Sequence, residues 1–162
     1  MLKQTVIALF AVFVLGASGC GFALRGTQDG LHVAPAYQNV QLVLDDTPDA
    51  FALKQSLIKQ LQMRGINPHQ GNSTISIHNV RFRQYKLVGT LTEIRLVLMA
   101  DVEYQLGDQK HAHPLQAERS HQYNEASVTT TDKQGDKAKI WLYDSLSEQI
   151  AEQYRAIAQR TS

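Results

Sequence analysis

One cysteine, Cys20, serves all 162 residues, so the chain can build neither an internal disulfide nor a cysteine cage for a metal. Neither sign of charge dominates, with 16 Lys and Arg against 15 Asp and Glu. That balance excludes broad nucleic-acid binding, which draws on surplus positive charge to release counterions. Long apolar runs are missing apart from one, Val6 to Leu15, and it is shorter than the roughly 20 residues a membrane-spanning helix needs. The glycines are scattered, and they form neither a phosphate-cradling loop nor a dinucleotide fingerprint.

Catalytic patterns are equally scarce. His111 and His113 have the best metal-like spacing, because alternate residues of a strand share a face. No carboxylate pair lies near them in sequence, and His121 is too far along to complete a compact site. Glu93 and Glu103 share a face but stand too far apart along it for an acid–base dyad. No nucleophile is in register with a base, so a periplasmic hydrolase has no support and the expectation is a protein without catalysis.

What the sequence does have begins with its leader. Lys3 precedes the apolar run, and Gly16, Ala17, Ser18 and Gly19 lead into Cys20. A charged start, an apolar segment of about 7–15 residues and a small-residue end make a secretory signal. Ala17-Ser18-Gly19-Cys20 resembles a lipobox, departing from the commonest form in having Ala17 where Leu stands three places before the cysteine, with Leu15 two residues further back. The expectation is a signal peptide over 1–19 and a mature chain starting at Cys20. That residue would carry a covalent N-acyl group and S-diacylglycerol, and no other cofactor is expected. Each buried methylene contributes about 0.8 kcal/mol, and more than one acyl chain is needed for stable anchoring. Loss of Lys3 with the leader makes the mature chain formally neutral.

Residues 20–39 are rich in Gly and small residues and read as a tether. From Asn39, Val40, Leu42 and Leu44 alternate as in a strand. Thr47, Pro48 and Asp49 open a helix whose stripe is Leu53, Leu57 and Leu61, with Ala50 and Ile58 beside it, and Gly65 ends it. Asn67 to Ser73 is rich in turn residues. A long strand follows whose apolar phase slips twice, from Ile75 and Ile77 to Val80 and Phe82, then to Tyr85 and Leu87, as two bulges would do. Val88-Gly89-Thr90 is the expected turn. Next, Ile94, Leu96, Leu98, Ala100, Val102, Tyr104 and Leu106 alternate without a break. The opposite face holds Glu93, Arg95, Asp101, Glu103 and Gln105, interrupted by Val97 and Met99. After a turn at Gly107-Asp108, a third β segment runs from Lys110 to Glu125, and Pro114 marks it as an edge strand or a bulged one. Trp141, Leu142, Leu146, Ile150, Tyr154 and Ile157 stripe a final helix, whose start is blurred by Gly135. These elements predict an α+β fold: a mixed four-stranded sheet in β-α-β-β-β-α order with two helices packed on one face.

Basic residues cluster in two places. Arg81 and Arg83 alternate, Lys86 lies near the turn and Arg95 follows on the partner strand. Lys133, Lys137 and Lys139 crowd the approach to the last helix. Solvated charge explains such clusters, and so does contact with the phosphates of an anionic lipid headgroup.

Cys20-Gly21-Phe22-Ala23-Leu24-Arg25-Gly26 resembles the mature start of the lipopolysaccharide-assembly lipoprotein LptE family. The similarity extends through the element order, Thr92-Glu93, Pro114-Leu115, and Leu142-Tyr143-Asp144 with Glu148-Gln149. It implies a single LptE-like domain over residues 40–162, lipid-anchored on the periplasmic side of the outer membrane. The implied role is to plug and help assemble the LptD β-barrel and to take part in placing lipopolysaccharide in the outer leaflet. The implied partners are LptD, lipopolysaccharide and the membrane holding the anchor. The implied lipopolysaccharide contacts fall among Arg83, Lys86 and Arg95 near the turn, Lys86 being the nearest counterpart. Near the last helix, Lys133, Lys137 and Lys139 are left as alternatives. Gly21, in place of an Asp after the cysteine, agrees with outer-membrane sorting by the family rule. The alternative function is an auxiliary lipid-binding lipoprotein of an ABC-type lipid transport system, which an apolar cavity between helices and sheet would favour.

Overall fold

The computed structural model describes residues 33–88, 92–123 and 128–161. The expected signal peptide, Cys20, the first part of the expected tether and the expected turn residues Gly89 and Thr90 lie outside the described residues. A short 3-10 turn over Pro35–Tyr37 leads into strand β1 (Asn39–Leu44), helix α1 (Pro48–Met63), strand β2 (Asn67–Pro68), strands β3 (Ser73–Leu87), β4 (Glu93–Leu106) and β5 (Gln109–Gln122), and helix α2 (Val128–Arg160). The sheet order is β2-β1-β3-β4-β5. β1 runs parallel to both β2 and β3, and the β3-β4-β5 meander is antiparallel. The fold is α+β as expected, with five strands rather than four. The extra one is a two-residue bridge, made where the chain leaving α1 passes the start of β1 and Asn67 N–H donates to the Gln38 carbonyl (2.7 Å). Two residues carry no periodicity, so no apolar pattern announces it.

α1 forms where its caps place it. Thr47 is extended and its hydroxyl accepts from Ala50 N–H at 3.2 Å, and Pro48 fills the first helical position. At the other end Gly65 adopts φ +71°, with Gly65 N–H bonded to the Gln62 carbonyl and Ile66 N–H to that of Leu61. These two bonds make a Schellman motif, and buried Ile66 and Leu61 supply its apolar contact. Leu53, Leu57 and Leu61 are fully buried, each contributing about 1.5–3 kcal/mol through area removed from water.

The uninterrupted alternation in β4 is a buried row: its seven even-numbered apolar residues, Ile94 to Leu106, are all buried in the helix-covered core. Tyr104 reaches furthest, its hydroxyl donating to the Ile150 carbonyl (3.3 Å) and to Gln153 Oε1 (3.2 Å). At the other side of the core Tyr154 donates to the Tyr37 carbonyl (2.7 Å) and lies 2.6 Å from the Ser73 hydroxyl. The last part of the expected tether is thereby docked, with Val33 3% exposed against the core.

Of the two slips expected in β3, one exists. Pairing with β4 shifts once, between His78 and Arg81, and then runs unbroken to Leu87↔Glu93. Asn79 takes the left-handed conformation at the bulge, φ 54°. The Asp45 carboxylate fastens it, accepting from Asn79 N–H (2.8 Å) and meeting His78 Nδ1 (2.9 Å), while Asn79 Nδ2 donates to Asp101 (2.8 Å). Tyr85 and Leu87, which mimic a second change of phase, are simply exposed apolar residues on the uncovered face. β5 is an edge strand and pairs with β4 without a bulge, Pro114 lying opposite Asp101.

α2 starts before the glycine that blurs it. It begins at Val128 and runs through Gly135. A glycine inside a helix costs about 1 kcal/mol, and the helix formers around Gly135 tolerate that. Lys133, Lys137 and Lys139 are therefore residues of the helix and not of its approach.

Candidate functional site

Ladder parity sorts the basic residues. After the bulge Phe82, Gln84 and Lys86 pair with Leu98, Leu96 and Ile94 and share the helix-covered face. Arg83 and Arg95 stand opposite Val97 and Tyr85, on the uncovered face. The two strand arginines are thus separated from Lys86 by the thickness of the sheet.

On the helix side, the end of the meander and the first half of α2 enclose a surface cleft of about 360 Å³. Phe82, Ile94, Leu96 and Tyr123 form its apolar wall, and His121, Asp136 and Lys139 its polar lining. Lys86 Nζ lies 5.0 Å from the Tyr123 ring centre. Lys139 Nζ lies 4.8 Å from the Phe82 ring and 5.9 Å from that of Tyr143, and 3.6 Å from Asp49 Oδ1. Each such contact contributes about 0.5–1 kcal/mol at exposed sites. Tyr143 donates to Asp49 at 2.5 Å. Burial first, then the bond to the Asp49 carboxylate and its charge, push the Tyr143 hydroxyl far above its ordinary pKa. The tyrosine stays protonated and holds Asp49 beside Lys139.

The lysines near the last helix part company. Lys139 joins Lys86 at this cleft, Lys137 lines a neighbouring cleft beside β5, and Lys133 is exposed on the surface of α2. The aromatic partners Phe82 and Tyr123 carry no motif of their own. Their signal is parity, since Phe82 and Lys86 share a face only if no slip falls between them.

His111, His113 and His121 all lie on the helix-side parity of β5, as their even spacing along an unbulged strand requires. Among the described residues no group of three or more His, Cys, Asp or Glu is placed to hold a metal ion. The arrangement can bind an anion with an apolar body: two cations stand on aromatic rings above an apolar wall.

No protein-family model matches the chain, and no curated protein matches it by sequence. Solved structures do. A minor lipoprotein from Acinetobacter baumannii is 27% identical with a TM-score of 0.65, over 75% of this chain and 92% of that one. The rare lipoprotein B from Shewanella oneidensis (TM-score 0.64, 9% identity, 76% and 98% covered) and lipoprotein B from Nitrosomonas europaea (0.63, 14%, 86% and 94%) share the fold. The chain is thus similar in fold to bacterial envelope lipoproteins, nearly the whole of each relative being matched.

Proposed function

We propose that this protein is an LptE-type outer-membrane lipoprotein without catalytic activity. It sits inside and helps assemble the LptD β-barrel, and it takes part in delivering lipopolysaccharide to the outer leaflet. The observation that carries the reading is the lipoprotein likeness over almost the full length of its relatives, joined to the resemblance of the Cys20–Gly26 segment.

The two faces of the sheet suit the two tasks. The uncovered face of β3, β4 and β5 is mostly polar, and a wide barrel has a polar interior to meet it. On the other face, Lys86 and Lys139 flank an apolar-walled cleft, where they meet the phosphates of lipid A while the wall takes part of an acyl chain. The core between helices and sheet is filled by fully buried Leu53, Leu57, Leu98, Leu142, Leu146 and Tyr154. A filled core favours the plug over a lipid carrier of the ABC-auxiliary kind.

A photoreactive amino acid at exposed Gln105 on the uncovered face tests the plug reading in living cells. Crosslinking to a large outer-membrane β-barrel protein is the expected result. Crosslinks confined to an inner-membrane transporter would overturn it and promote the carrier.

A further inference from the structure

We infer that the second half of β5, Glu118 to Gln122, is a docking edge for an extended acidic segment of a partner polypeptide, which would add to the sheet as a further strand. The inference does not depend on the lipid reading.

It starts from which backbone groups are free. β5 is the last strand of the sheet, and among the described residues no strand pairs with its outer side. In an antiparallel ladder the N–H and C=O of one residue point to the same side, and the side alternates along the strand. Tyr123 N–H donates inward to the Thr92 carbonyl (2.8 Å), so odd-numbered residues bond to β4. Gln116 agrees: its carbonyl points outward, where Gln149 Nε2 of α2 reaches it at 3.4 Å. The outward groups therefore belong to Pro114, Gln116, Glu118, Ser120 and Gln122.

The two halves of that edge are treated differently. Pro114 sits where a missing N–H costs no bond to β4 and denies one to a visitor, a common protection of edge strands. Gln149 occupies the next outward carbonyl. Beyond Gln116 the protection ends, and Glu118, Ser120 and Gln122 are exposed.

Beside the open half lies a cleft of about 400 Å³ lined by Arg119, Ser120, His121, Gln122, Gln134 and Lys137. The Arg119 guanidinium is 5.0 Å from the Trp141 ring centre. Among the described residues neither Arg119 nor Lys137 forms an ion pair. Glu118 points to the other side of the sheet, so the helix side of the edge is cationic. Added strands gain affinity from main-chain bonds and specificity from alternate side chains. Here the side chains turned toward Arg119 and Lys137 must be Asp or Glu.

The test uses the mature full-length chain and three probes: a soluble extended peptide alternating Thr and Glu, the same peptide with Lys for Glu, and inorganic phosphate. Trp141 is the sole tryptophan and lies under Arg119 of this cleft, so its fluorescence responds to binding there. The acidic peptide should shift that fluorescence and slow exchange of the Ser120 and Gln122 amides at least about tenfold, and the Lys peptide should do neither. Ser120→Pro, which removes an outward N–H as Pro114 does, should abolish the effect. Should that variant lose its fold, Lys137→Glu carries the same test by weakening the acidic peptide. Amides already slow in the protein alone would mean the edge is covered by the chain itself, and the inference fails. It fails equally if phosphate shifts Trp141 and no peptide protects the amides, or if both peptides act alike.

Discussion

Asn79 carries a backbone conformation that few residues accept. Asn tolerates the left-handed region because its short amide bonds locally, and here it reaches Asp101. A β-branched residue has no such tolerance, so Asn79→Val should cost about 1–3 kcal/mol in urea unfolding, and Asn79→Gly clearly less. Asp45 fixes the same bulge. Its bonds to His78 first and Asn79 N–H second hold its carboxyl below the ordinary range. A lowered folded-state pKa stabilises the protein above the unfolded-state value and stops doing so as pH falls through the folded one. The stability gap between the native chain and Asp45→Asn should therefore be full near neutral pH and shrink only below about pH 4. A gap that widens with acid would contradict this. Tyr154 is tied at both ends of its hydroxyl, to Tyr37 and Ser73. Tyr154→Phe leaves those groups without it and should cost about 1–3 kcal/mol, measurable by thermal unfolding.

The two helices meet along a seam with polar ties at intervals: Tyr143 and Lys139 to Asp49, Ser56 to Asp144, Ser147 to the Leu53 carbonyl, and Arg64 to Glu148 and Glu152. Partial burial works against the charge of Glu152, but the bonds and charges of Arg64 and Arg155 outweigh it and hold its carboxyl low. Beneath the ties the seam is apolar, and Leu57→Ala should cost about 2–5 kcal/mol in chemical denaturation because the filled core cannot collapse around the hole. Elements of this strength were legible in the sequence. The α1 stripe with its caps and the β4 alternation each repeat one signal many times, and both are where periodicity puts them. The second slip expected in β3 is absent because Tyr85 and Leu87 are exposed, and an apolar residue need not be buried. That absence matters for the site, since it leaves Lys86 on the same face as Phe82. The pairing of Lys86 and Lys139 with aromatic rings was not legible, because it joins a strand to a helix through tertiary packing and no local spacing encodes it.

At the scale of the molecule, the sheet is a partition. One face is sealed by two helices, and among the described residues no helix or strand covers the other. Arg83 and Arg95 lie on that uncovered side and Lys86 and Lys139 at the opposite cleft. Lys86→Ala and Lys139→Ala should each weaken lipopolysaccharide binding severalfold, by about 1 kcal/mol, whereas Arg83→Ala should leave binding at the cleft unchanged. Equal losses from all three in a binding titration would mean general electrostatic attraction and no specific cleft. The proposal as a whole turns on the partner. A tagged, acylated form purified from outer membranes in mild detergent, with mass spectrometry of what stays bound in high salt, addresses it most directly. The account predicts a stoichiometric large β-barrel protein. Recovery of phospholipid or an inner-membrane transporter without any barrel would contradict it.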